Sequence, residues 1–281
     1  MFIETHTHLT DEQFDSDRDQ VLARARQAGV ELFIEIGEDE PQWPKARALA
    51  EAHPDVYWTA GFHPSYAVKA DAELVHRMEA ALRHPRCVAV GEIGLDYYRD
   101  HSPRDVQHRV LDDLVKVAVR AKTPMVLHCR ESGPGKIEAQ RDMLAILNSV
   151  PAPAPGDRPV GVAHCFQGTE ETAHALIARG FMIGVDAPLT YPTSSTLRAL
   201  LSQIPLQSLV LETDSPYLPP QSRRGKRNEP THIPAIAKAL ADLKQVPIET
   251  IAAMTSDNAR RLFQLIFLSR TTAGHSRAAE R

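Results

Sequence analysis

The sequence predicts an α/β protein folded as one (β/α)8 TIM barrel. Three observations predict it. Eight short runs rich in β-branched and apolar residues alternate with longer stretches of helical character. Most of these runs are apolar throughout, as strands covered on both faces are. The length of 281 residues suits eight strand–helix units in a single domain. An open doubly wound sheet is the competing architecture. It usually carries a glycine-rich turn after its first strand, and here that position reads HTHLTDEQF, with no glycine.

The strand candidates are, in order, 2–8 (FIETHTH), 30–37 (VELFIEIG), 56–63 (VYWTAGFH), 87–94 (CVAVGEIG), 124–128 (PMVLH), 160–165 (VGVAHC), 181–185 (FMIGV) and 208–214 (SLVLETD). A helix is expected after each. After the first, RDQVLARARQAG ends in Gly29, a residue suited to the position just past a helix. After the fourth, Ser102 is the expected N-cap of a helix with Pro103 in its first turn. After the sixth, TEETAHALIARG repeats the cap, helix and glycine order. Residues 132–136 and 151–159 are Pro/Gly-rich loops between the fifth and sixth strands. The barrel is expected to occupy residues 1–268, with 269–281 a disordered polar tail.

Composition excludes several classes. Hydrophobic residues make up 43% of the chain, enough for a sizeable core. No apolar run approaches the ~20 residues of a membrane helix, and the N-terminus lacks the pattern of a secretory signal. A cytoplasmic protein without membrane partners is expected. The three cysteines Cys87, Cys129 and Cys165 argue against a disulfide framework. A net charge of −4 argues against a surface that coats nucleic acid generally, while leaving room for a local basic patch.

The thirteen histidines are the unusual feature, because several close apolar runs. His6 and His8 flank Thr7 on the first strand, so alternation turns both imidazoles to one side. Buried imidazoles need partners, and a metal ion is a natural one. Exposure on a solvated strand is the plainer account of that pair. His128 and His164 close the fifth and sixth strands at the same relative place. Alternation turns Cys129 and Cys165 away from them, as small apolar packers. Glu92 lies between Gly91 and Gly94 on an apolar strand and needs a cation or strong donors there. It can bridge two ions; the alternative is an ion pair with an arginine. Asp214 ends the eighth strand, where barrel catalysis occurs, as a ligand and as the base for an attacking water. Glu212, two residues earlier, is expected to play a supporting role. These six groups exceed the three protein ligands of a mononuclear catalytic zinc site. They suit two divalent cations ~3.5–4 Å apart. Nitrogen and oxygen donors without thiolate fit Zn, Mn or Fe, and Mg less well.

His63, closing the third strand, and Arg130, two residues after His128, are substrate-binding candidates. So are Arg224 and Lys226 in SRRGKRNEP, on the loop after strand eight where barrels often bind phosphate. A solvated loop neutralised by Glu229 is the plainer account of that charge run. Tyr97, Tyr98 and Arg99 follow Glu92 and could stack on or hydrogen-bond a nucleotide.

With these motifs in view, the chain resembles the TatD-like metal-dependent hydrolases of the amidohydrolase superfamily. The matching stretches are THTHL, GFHP, GEIGLDYYRD, LHCRES, AHCFQG, LETDSPYLPP, RGKRNEP and SDNARRLF, spanning residues 5–263. The resemblance implies a (β/α)8 barrel, two divalent metals and deoxyribonuclease activity. It also implies that His6, His8 and Asp214 hold one metal, His128 and His164 the other, and that Glu92 bridges. Departures fall at Gln167, where serine is usual, at Asp186, where a small residue is common, and in the loops around strand five. The expected function is phosphodiester hydrolysis at DNA ends or single strands. Hydrolysis of a carbonyl ester or amide, such as an aminoacyl-RNA, is the second reading. A non-catalytic binding subunit is the third.

Overall fold

The computed structural model describes residues 1–99, 101–154 and 156–265. The strands are β1 (Phe2–Thr7), β2 (Val30–Gly37), β3 (Val56–Ala60), β4 (Cys87–Asp96), β5 (Met125–Arg130), β6 (Gly161–Ala163), β7 (Phe181–Val185) and β8 (Leu209–Leu211). They form one parallel sheet in the order of the chain. The helices are α1 (Arg18–Gln27), α2 (Trp43–Ala52), α3 (Leu74–Ala81), α4 (Arg104–Ala121), α5 (Glu138–Leu147), α6 (Glu170–Ala178), α7 (Ser195–Gln203), α8 (Ile233–Lys244) and α9 (Ile248–Phe263). This is the expected (β/α)8 TIM barrel. No helix among the described residues is long and apolar enough to cross a membrane. The tail expected at 269–281 lies outside the described residues.

Closure between β1 and β8 is local. Beyond the end of β8, Thr7 and Ser215 form an isolated parallel bridge. Asp214 N–H donates to the His6 carbonyl (3.0 Å) and His8 N–H to the Ser215 carbonyl (2.8 Å). The chain is therefore joined at the carboxyl-end mouth, beside two of the histidines. At the opposite end α9 covers the barrel. Its Ala259, Leu262 and Phe263 pack with Ile3, Ile34, Ala89, Val126, Val162, Met182 and Val210, which line the inner core. Asn258 of the SDNARRLF stretch donates to the carbonyls of Leu206 and Leu209 (2.7 and 2.8 Å), fixing α9 to the start of β8. A larger apolar layer between sheet and helices includes Phe33, Trp58, Leu111, Leu127, Leu176 and Leu240.

The helix boundaries follow local chemistry. Gly29 and Gly180 take φ of +90° and +84° just beyond α1 and α6, a conformation cheap only for glycine. Thr169 caps α6 by accepting from Thr172 N–H (3.2 Å). Ser102 does not cap α4; Pro103 occupies that position and makes no side-chain cap bond. The Ser102 hydroxyl instead accepts from Val68 N–H and donates to the Ser65 carbonyl, both at 3.2 Å. It thereby pins the 3-10 turn Pro64–Lys69 that follows β3. Strands β6 and β8 are shorter than the apolar runs suggest, so His164 and Asp214 stand past their ladders.

Candidate metal centre

Six side chains from five strand ends converge at the mouth. His6 and His8 Nε2 are 3.3 Å apart, and His8 Nε2 is 3.1 Å from Asp214 Oδ1. The same Asp214 oxygen lies 3.7 Å from His6 Nε2 and 3.8 Å from His164 Nε2. Glu92 turns its two oxygens to different partners. Oε2 is 3.4 Å from His6 Nε2, while Oε1 is 2.7 Å from His128 Nδ1 and 4.0 Å from His164 Nε2. The His6 and His164 rings stack with centroids 3.4 Å apart. Among the described residues, Glu92 and Asp214 form ion pairs with histidines alone, with no lysine or arginine in reach. The arginine alternative for Glu92 therefore finds no support, and neither does solvent exposure for His6 and His8, which are buried.

Backbone geometry past the strands sets these directions. Asp214 and Cys165 have φ of +55° and +42°, uncommon outside glycine. Strand alternation therefore stops before Cys165. Its N–H turns inward and donates to Glu212 Oε1, so the alternation argument does not apply to this residue. Glu212 also meets His164 Nδ1 at 3.0 Å and so orients the ring, as its supporting role required. A Cβ at Gly184 would overlap the Glu212 carboxylate, and one at Gly61 would overlap the Glu92 backbone nitrogen. These glycines allow the close approach that brings both acids into place.

Further acids support the mouth, and the sequence reading passed over them. Glu4 accepts from the N–H groups of His6 and Thr213 (both 3.0 Å) and from the Thr213 hydroxyl (2.6 Å), joining β1 to the segment before Asp214. Glu35 accepts from Leu9 N–H (2.7 Å) and Thr10 N–H (2.9 Å), fixing the turn after His8. Asp96 Oδ1 accepts from the N–H groups of Tyr98 and Arg99, both at 2.9 Å. Its Oδ2 faces His128 Nε2 at 3.4 Å, an ion-pair separation whose geometry falls short of a hydrogen bond. Glu4 and Glu35 could have been found by the argument used for Glu92, a carboxylate within an apolar run.

The electrostatics are those of a strongly coupled cluster. Burial alone would raise the Glu92 carboxyl, but His164 and His6 hold it well below the usual range. Burial opposes a charge on His8, yet Glu38 and Asp214 push its pKa up to about 10. His128 reaches about 9 against the same burial cost, through Asp96 and Glu92. In each case the carboxylates draw in positive charge, which a divalent cation can supply instead of protons. The donor set fits such ions: ligand-type atoms of His6, His8 and Asp214 lie within 4.8 Å of one another, and Glu92 Oε1 lies within 4.0 Å of both His128 Nδ1 and His164 Nε2. Three buried ring nitrogens, Nδ1 of His6 and of His8 and Nε2 of His128, have no hydrogen-bond partner.

His63 sits beside this cluster, its ring 4.4 Å from that of His128. Its Nδ1 accepts from Ser65 N–H (3.2 Å), so a neutral ring carries its proton on Nε2. Burial, with His128 next in importance, lowers its pKa to about 3 and keeps it neutral. His63 is thus a hydrogen-bond donor at the mouth.

The basic candidates separate. Arg130 is exposed, its guanidinium 4.1 Å over the Tyr98 ring. Arg224 is exposed and 4.7 Å over Tyr191, and Lys226 is exposed near it in the chain. Arg227 is committed elsewhere. It donates to Asp17 (2.9 and 2.8 Å), to Glu229 (2.9 Å) and to the Gln13 carbonyl, and lies 4.5 Å over Phe14. Glu229 is shared with Arg24, so it does not neutralise the outer arm of the loop. Asn228 donates to the carbonyls of Thr213 and Tyr217, both at 2.7 Å, which ties RGKRNEP to the Asp214 turn. Tyr97 does not face the mouth. It is buried, meets His108 and Asp142 through its hydroxyl, and lies under Arg104. Asp186 is buried with Oδ2 unpartnered, and burial together with Asp214 and Glu212 raises its carboxyl well above the usual range. Gln167 Nε2 lies 3.5 Å from Cys165 Sγ.

A family model described as TatD related DNase matches residues 3–264. The uncharacterized metal-dependent hydrolase YabD of Bacillus subtilis is 34% identical over 265 residues, covering 94% of this chain and 100% of that protein. A 3'-5' ssDNA/RNA exonuclease TatD from Edwardsiella piscicida is 37% identical over 264 residues, covering 92% of this chain and 97% of the relative. The crystal structure of YJJV, a TatD homologue from Escherichia coli K12, superposes with a TM-score of 0.84 at 31% identity, covering 94% of this chain and 98% of that one. With its motifs, its barrel and its cluster of histidines and acids in agreement with these matches, the chain belongs to the TatD-related family of metal-dependent hydrolases.

Proposed function

We propose that this protein is a divalent-cation-dependent exonuclease that releases mononucleotides from the 3′ ends of single-stranded DNA or RNA. One observation carries the reading: Glu92 offers its two oxygens to two separate sets of imidazoles, with no arginine or lysine among the described residues to neutralise it. In this reading His6, His8 and Asp214 would hold one cation, His128 and His164 would hold the second, and Glu92 would be shared between them. The imidazole-rich donors favour Zn or Mn over Mg. When bound, such a pair of ions activates water and offsets charge on a phosphoryl group. The residues do the rest. Asp214 takes the proton of the attacking water. His63 donates from Nε2 to a phosphate oxygen. Arg224, Lys226 and Arg130 hold the strand by charge at the rim, and Tyr98, 60% exposed, offers a face to a base. The names of relatives such as the Edwardsiella protein support this substrate class. The three free cysteines support a reducing, cytoplasmic setting.

The test is digestion of single-stranded DNA labelled at either end, with Mn2+, Zn2+ or Mg2+ added to chelator-stripped protein. Stepwise loss from the 3′ end, abolished by chelator, is expected. Arg224→Ala with Lys226→Ala should weaken binding of the strand more than hydrolysis of a small phosphodiester. A folded, metal-loaded protein that leaves such DNA intact while cleaving aminoacyl esters would overturn the assignment.

A further inference from the structure

Glu38 is the first residue beyond β2 and was not among the sequence candidates. Its backbone carbonyl accepts from His63 N–H (2.8 Å), which ties it to the end of β3. Its carboxylate, His8 and Glu92 bring ligand-type atoms within 4.8 Å of one another. Three carboxylates, those of Glu38, Glu92 and Asp214, thus gather around one imidazole. Mutual repulsion makes such a cluster costly unless cations sit among the acids. Nearby protein groups meet little of that need. Among the described residues, Glu38 forms no ion pair with lysine or arginine, and its carboxylate meets only Gln42 Nε2 at a long 3.4 Å. His8 is buried, with Nδ1 unpartnered.

We infer that Glu38 is a seventh ligand of the metal centre, binding the cation held by His8 from the β2 side. The inference rests on the two-cation reading above. It places a third acid on that ion, so the His8 position should hold its cation more tightly than two imidazoles, Asp214 and the shared Glu92 would alone. A merely structural Glu38, anchoring Gln42 ahead of α2, is the competing account.

Binding of Mn2+ to chelator-stripped protein, followed by the loss of the free-ion electron paramagnetic resonance signal, separates the two. The wild-type chain should take up two equivalents. Glu38→Gln, which keeps shape but removes charge, should bind one equivalent at wild-type strength and the other at least tenfold more weakly. Glu38→Asp should recover part of that loss. Gln42→Ala removes the neighbour but leaves the charge, and should bind as wild type does. Two equivalents of unchanged affinity in Glu38→Gln would overturn the proposal, whatever happens to activity. So would a loss in Gln42→Ala equal to that in Glu38→Gln. Failure of the wild-type chain itself to bind two ions would instead bring down the two-cation reading, and this proposal with it. Circular dichroism melts of each variant show whether the fold is kept, and Glu38→Asp carries the comparison if Glu38→Gln is unfolded.

Discussion

At the scale of single residues, His63 and His164 each commit one ring nitrogen to the protein so that the other faces the mouth. His63 shows this most plainly. Its Nδ1 is used by Ser65 N–H, which leaves Nε2 as a fixed donor. Asparagine at this position can keep the cap through its side-chain oxygen but cannot extend a donor as far. We therefore expect His63→Asn to retain the fold while lowering kcat/KM on single-stranded DNA by ~10- to 100-fold, the worth of one hydrogen bond to a charged group. Kinetics indistinguishable from wild type would remove His63 from the substrate site. Cys165 makes the converse point. Sequence alternation assigns it a purely packing role, but a left-handed backbone turns its N–H onto Glu212. No periodicity reports a departure from strand geometry two residues past the end of a strand.

At the scale of elements, the loop after β8 is held to α1 by charge. Asp17 lies between Arg227 and Arg24, and these two hold its carboxyl at about 2, below its ordinary 3.8. The sign follows directly. A carboxyl depressed in the folded state contributes stability that is fully present above about 3.8 and is lost as the pH falls through about 2. Both partners are partly exposed, so the contribution is about 1 kcal/mol rather than that of a buried pair. Asp17→Asn at neutral pH removes the same charge that acid removes. It should speed hydrogen exchange across residues 222–230 and lower Tm by ~2–4 °C. Unchanged exchange in that loop would show that Asn228, anchored to Thr213 and Tyr217, holds it alone. The sequence displayed the charge run, but not the choice among its members. Arg227 and Asp17 are 210 positions apart, and such a pairing exists only once the barrel has closed.

At the scale of the whole molecule, the closing seam and the site are the same place. β1 and β8 meet through the Thr7–Ser215 bridge and through Glu4, next to His6 and Asp214. Cations held there would tie the first strand end to the last. A ligand that binds only the folded chain stabilises it by about 2.7 kcal/mol per site at one hundred times its Kd. Saturating Mn2+ should therefore raise the Tm of chelator-stripped protein by several degrees. Glu92→Gln, lacking the shared carboxylate, should show most of that rise gone. A melt insensitive to Mn2+ in the wild-type chain would contradict a cation pair at the seam.

The amino-acid sequence by itself determined the strands, the barrel and the six side chains that converge, because these depend on local periodicity and on where polar groups interrupt apolar runs. Each of the eight runs overlaps one of the eight strands, although β6 and β8 stop short of the ends of their runs, and His6, His8, Glu92, His128, His164 and Asp214 meet at one mouth. Only the tertiary structure decided how each group is used. It paired Arg227 with Asp17, turned Tyr97 away from the mouth toward Asp142, and brought Glu38 beside His8. Those outcomes are distances between residues far apart in the chain, and burial and charge act on such distances rather than on order along the chain.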